Sequence, residues 1–151
     1  MKSYRPVQCF AALLTLGISC PVHAQAEGVQ AVDIGVDAIK WMSPSALPGV
    51  QLAWLTGGDT KPGLYELRVR LAPGAVVPPH THPDARCATV LSGELYAGHG
   101  DTVEPGNAKK YAAGSFHCVP AGVPHYVFAK DGEVMFQDSG VGPTGISWVK
   151  K

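Results

Sequence analysis

Hydrophobic and polar residues alternate without a break between Tyr65 and Leu71. Tyr65, Leu67, Val69 and Leu71 fall on one side, and Glu66, Arg68 and Arg70 on the other. A period of two marks a half-buried strand, with one face on a core and one in water. Shorter extended runs surround it at 51–56, 76–82, 86–91, 94–97, 115–119, 125–129, 134–138 and 146–150. Turn signals separate them at Pro73-Gly74, Ser92-Gly93, Pro105-Gly106, Ala121-Gly122 and Asp131-Gly132. No stretch carries the helical period. Many short strands with regular punctuation predict an all-β, antiparallel sandwich or barrel, with 99–110 as a loop.

The chain opens in a different pattern. Lys2 and Arg5 precede an apolar run from Cys9 to Ile18, and Val22-His23-Ala24 closes it with small residues. This is the layout of a secretory signal peptide cleaved after Ala24, and the apolar run is too short for a stable membrane span. The sequence therefore divides into a signal peptide at 1–24, an N-terminal segment at 25–49 without strand alternation, and a β-domain at 50–151. A periplasmic or secreted location is the expectation.

Charge narrows the partners. The whole chain has 12 basic and 12 acidic residues, and losing Lys2 and Arg5 leaves the domain at −2. No basic stripe remains to track a phosphate backbone, which argues against nucleic acid and for a small-molecule ligand or substrate. Cys9 and Cys20 leave with the signal segment, so Cys87 and Cys118 are the pair that an oxidising compartment could join. They form either a disulfide or two reduced, buried thiols.

Two stretches hold the candidate chemistry, GAVVPPHTHPDARCATVLSG at 74–93 and GSFHCVPAGVPHYVFA at 114–129. His80 and His82 are two apart, so on an extended strand both imidazoles leave the same face. His125 follows a Pro-Ala-Gly-Val-Pro turn and begins an aromatic, β-branched run. Both stretches resemble the two sequence motifs of the cupin superfamily. The first keeps the family spacing from Gly74 through His80 and His82 to Gly93, but Arg86 stands where a Glu belongs. The second runs from Gly114 through Pro120-Ala121-Gly122 to His125, and Ala129 replaces a final Asn.

The resemblance implies a double-stranded β-helix, the cupin jelly roll. It also implies one divalent transition metal, Fe, Zn, Mn, Ni or Cu, held through His80, His82 and His125. The family's fourth ligand is a carboxylate, a role closed to a guanidinium, which stays protonated. Asp84 offers another carboxylate, but it lies about 7 Å back along an extended chain. A three-His centre of the kind found in cupin thiol dioxygenases keeps the full charge of the metal. Arg86 beside it is expected to bind an anionic group of the substrate. The opposing reading turns Arg86 to solvent or pairs it with Asp84 or Glu94.

Function stays open between two classes at this point. One is a dioxygenase or isomerase of a small anionic molecule; the other is a non-catalytic ligand-binding or metal-stabilised sensing module. No general base stands out near the motifs. The family also implies homodimers paired through sheet edges. Among the remaining side chains, His117 is expected to face outward and His99 to be exposed. Tyr126 and Phe128 are expected to turn away from the metal, and Tyr96, Phe116 and Phe136 to fill the core.

Overall fold

Ten strands pair into two five-stranded sheets in the structure, a computed structural model that describes residues 31–150. The signal peptide expected at 1–24 lies outside the described residues. In chain order the strands are β1 (Val50–Thr56), β2 (Gly63–Leu71), β3 (Val76–Thr81), β4 (Arg86–Ser92), β5 (Glu94–His99), β6 (Lys109–Ala112), β7 (Phe116–Val119), β8 (His125–Phe128), β9 (Val134–Gly142) and β10 (Ser147–Trp148). The sheets run β1-β2-β9-β4-β7 and β10-β3-β8-β5-β6, and every neighbouring pair is antiparallel. This is the antiparallel β-sandwich that the alternation predicts and, in its topology, the jelly roll that the cupin resemblance implies. Among the described residues the only helical segment is a 3-10 turn at Val36–Ala38, and no helix is long and apolar enough to cross a membrane.

The alternation in β2 sets the layers. Tyr65, Leu67, Val69 and Leu71 are buried, beside Val90, Val134 and Phe136 of their own sheet and in one cluster with Leu95 and Val127 of the facing sheet. Burying one such aliphatic side chain contributes about 1.5–3 kcal/mol. On the outer face Arg68 donates to the Gln137 Oε1 at 2.7 Å, and Gln137 and Ser139 donate to Glu66 at 2.8 and 2.7 Å. Before β1, Leu47 is buried in the core, and Met42 and Leu52 exchange two backbone hydrogen bonds of 2.8 Å.

Each histidine-bearing stretch crosses between the sheets, and this brings the two together. The first runs from β3 in one sheet to β4 in the other; the second runs from β7 back to β8. Pairing of β3 with β8 sets His80 opposite His125, and pairing of β4 with β7 sets Arg86 opposite Val119. The two connecting turns are tied directly, as the Gly122 N–H donates to the His82 carbonyl at 2.8 Å.

Four local expectations need correction. The loop expected at 99–110 ends sooner, because Lys109–Ala112 forms β6 on β5. It is a sheet edge with two lysines, and such edges carry charge instead of alternation because water takes one side. β9 runs on to Gly142, where its pairing with β2 continues past the aspartate. β10 shrinks to two residues. Phe116 is 62% exposed on edge strand β7 instead of filling the core.

Gly93 shows why the first stretch must end in glycine. Its φ is +74°, and a Cβ there would lie 2.2 Å from the Glu133 carbonyl oxygen. Gly93→Ala is expected to lower stability by more than about 2 kcal/mol in urea unfolding, from a left-handed backbone and a clash with main chain.

Candidate metal centre

His80, His82 and His125 converge inside the barrel with their ligand atoms within 4.8 Å of one another, and all three are buried. Each ring is oriented by a backbone carbonyl at Nδ1. The partners are Pro78 for His80 at 2.7 Å, Gly145 for His82 at 2.5 Å and Val123 for His125 at 2.9 Å. A carbonyl only accepts, so each Nδ1 carries the proton and each Nε2 keeps its lone pair. Burial pushes His80 down to about 3, against the Pro78 carbonyl, and His82 down to about 4, with the Arg86 charge adding to it. Burial also lowers His125. All three are neutral at pH 7, the state a metal needs.

Arg86 projects into the same interior and is only 7% exposed. Its Nη2 lies 3.0 Å from the Asp84 Oδ1 and also donates to the Thr144 hydroxyl, which in turn donates to Asp84. Its Nη1 is 3.8 Å from the Asp138 carboxylate. The guanidinium carbon sits 5.6 Å from the centre of the Tyr65 ring. Asp84 is therefore a partner of Arg86 and lies outside the three-His cluster. Its other oxygen accepts from the Tyr65 hydroxyl at 2.5 Å. Burial raises the Asp84 carboxyl, but the donors Thr144 and Tyr65 and the charge of Arg86 outweigh it and hold the group below the usual range. Burial and Asp84 push the Tyr65 phenol up, so it remains a donor. The phenol end of Tyr65 packs against Gly140 on β9, where a Cβ would fall 2.4 Å from the phenol oxygen.

Asp138 is a cavity carboxylate that reading the sequence missed. It lines the cavity that the three histidines line, with its side chain 13% exposed. Burial raises its pKa to about 7, with Arg86 opposing and Asp84 adding to the shift. A signal was present, since Val134, Phe136 and Asp138 share strand parity and two are core residues. An aspartate on that face has to point inward.

His117 corrects a second expectation. It shares the inward face of β7 with Val119, lines the cavity beside His125 and packs its ring 4.5 Å from that of Tyr111. Its buried Nδ1 has no partner among the described residues. His99 is exposed, and Tyr126 and Phe128 turn away from the cluster, where Tyr126 donates to the Glu104 carbonyl at 3.0 Å and Phe128 stacks on Tyr96. On the outer side of β4 and β7, Cys87 and Cys118 face each other with Cα atoms 4.0 Å apart and form a disulfide spanning 31 residues. Closing a loop of that length in the unfolded chain contributes about 3–4 kcal/mol on the chain-entropy account.

Two antiparallel five-stranded sheets in a jelly roll, with three neutral imidazoles gathered between them, are the arrangement of a cupin-type domain. The cupin domain family matches residues 67–137, and this part of the chain is a cupin domain. Germin-like protein 3-1 of Oryza sativa subsp. japonica is 36% identical over 75 residues, 49% of this chain and 33% of that protein. Oxalate oxidase GF-3.8 of Triticum aestivum is 34% identical over 88 residues, 56% of this chain and 39% of that one. The chain thus spans little more than a third of the length of these curated relatives. Polyketide cyclase RemF of Streptomyces resistomycificus superposes with a TM-score of 0.68 over 81% of this chain and 87% of its own, at 16% identity, which shows a shared fold.

Proposed function

We propose that this chain is a metal-dependent enzyme that moves a proton on a small acidic molecule, with His80, His82 and His125 holding one divalent transition metal. One observation carries the reading: three neutral imidazoles and a carboxyl with a pKa of about 7 line a single cavity. A structural or sensing site has no need of a buried acid poised near neutrality, whereas a general base does. The donor set fits Fe, Zn, Mn, Ni or Cu, and an ion there would supply Lewis acidity to an oxygen of the substrate.

In this reading Asp138, ionised, accepts a proton from the substrate, and returning that proton to a neighbouring atom completes an isomerisation. Arg86 holds the Asp138 carboxylate and offers its remaining donors to an anionic group. Oxidation by dioxygen is the second reading, favoured by the similarity to wheat oxalate oxidase. Oxygen consumption with turnover separates the two. Export belongs to the same proposal, and the Cys87–Cys118 disulfide supports an oxidising compartment.

The metal assignment is tested by elemental analysis of protein purified from its export compartment. One metal per chain is expected in the native protein, falling at least about tenfold in His80→Ala and in His125→Ala. Unchanged metal content in both variants overturns the site.

A further inference from the structure

Accepting that reading of the site, the walls of the cavity identify the kind of molecule it takes. Its volume is about 390 Å³, within the range of about 300–1,000 Å³ that encloses a drug-sized organic molecule. The polar groups form one connected cluster, in which the Arg86 charge acts on all three histidines while its guanidinium binds Asp84, Thr144 and Asp138. Most of the remaining wall is hydrocarbon, with Leu52, Trp54, Leu67, Val69, Val127 and Phe136 lining it from four strands, and Asp59 and His117 are the other titratable side chains on it. The apolar surface continues to the mouth. Met42, Ile146 and Trp148 line the cavity and are still 48%, 44% and 43% exposed. Single exposed hydrophobics need no explanation, but three around the opening of a polar-ended cavity mark an entry for apolar material.

Charge sets the other limit. Arg86 is the one lysine or arginine lining the cavity among the described residues, and Asp84 and Asp138 already flank it. A second carboxylate on the ligand would meet hydrocarbon, the Asp59 carboxylate or the neutral His117 ring, with no second cation to pair with, which is costly. We propose that the cavity takes an amphiphile with a single acidic oxygen head at the His80–His82–His125 end and an apolar, aromatic-sized body against β1, β2 and β9, and that it discriminates against dicarboxylates.

Isothermal titration of the zinc-loaded protein with acetate, benzoate, 2-naphthoate and 2,6-naphthalenedicarboxylate tests this. Affinity is expected to climb along the first three, with 2-naphthoate at least about tenfold tighter than acetate, because each step buries more apolar surface. The dicarboxylate, with the same body, is expected to bind at least about tenfold more weakly than 2-naphthoate. Met42→Ala, bridged to Leu52 on the β1 side of the opening, is expected to weaken 2-naphthoate about threefold or more and leave acetate unchanged. A flat series, a dicarboxylate that binds as tightly as the monoacid, or a Met42→Ala loss shared equally by acetate overturns the proposal. The series is repeated in metal-free His80→Ala. If the metal holds the acidic head, all four probes weaken together in this variant; if the metal reading fails they do not, and the slope with apolar area survives in both cases, so the two failures are told apart.

Discussion

Asp138→Asn is expected to lose turnover by about 10²–10⁴-fold, the usual contribution of a positioned general base, while gaining stability at alkaline pH. The two effects share a cause. The Asp138 carboxyl has a folded pKa of about 7 against an ordinary 3.8, so the fold favours its protonated form. That stabilisation is fully present below about pH 4 and is lost as pH rises through about 7, because the folded state then holds a proton that the unfolded state has released. Asparagine never ionises and so escapes the loss. At pH 8 the variant should be more stable than the native protein by about 2–4 kcal/mol, and at pH 4 the two should be close. Melting curves across this range read the difference. A carboxyl carbon signal titrating near pH 7 in the native protein and absent from the variant identifies the group. In activity, the native rate should rise through about pH 7 and the variant should lack that limb. A native Asp138 titrating near 4 would remove it as the base, and the binding-module reading would then gain.

The sites that sequence made legible are those where periodicity and chemistry coincide. His80, His82 and His125 stand out because two share strand parity and the third follows a proline-glycine turn, and pairing of β3 with β8 brings all three together. The alternation of Tyr65 to Leu71 was legible because one sheet face is buried along its whole length. Asp138 was hidden because no charged residue is expected on a core face, and its inward aim follows from parity with Val134 and Phe136 and not from any motif. His117 was hidden for a related reason. Its strand is an edge four residues long, where Phe116 faces out and Val119 faces in, and two turns of alternation are too few to assign a face. The partners of Arg86 lay further out of reach. Asp84 is two residues away, but Asp138 and Thr144 arrive from β9 and the segment beyond it, and only the sheet order brings them to the same point.

Those partners make Arg86 a matter of stability as well as of substrate, and Arg86→Met separates the roles. Methionine fills similar space without charge. It leaves Asp84 and Asp138 facing each other in an interior that screens poorly, and removing one partner from a buried ion cluster costs about 3–5 kcal/mol. The loss should be visible in urea unfolding at pH 7. It should ease on acidification, because protonating either carboxyl removes the unpaired charge. The double variant Arg86→Met with Asp84→Asn should recover at least about 1–2 kcal/mol of the loss, since exchanging a buried pair for neutral groups is far milder than breaking it. An arginine kept only for an anionic substrate would behave otherwise. Its removal would change stability by less than about 0.5 kcal/mol, as at an ordinary surface site, and would appear only in ligand affinity. The geometry favours the first outcome: Nη2 is committed to Asp84 and Thr144, and Nη1 lies beside Asp138. The buried Nε has no partner among the described residues. That leaves Nε and one hydrogen of Nη1 for a substrate oxygen, enough to orient a single acidic head, while the one positive charge, already flanked by Asp84 and Asp138, is too little to neutralise two.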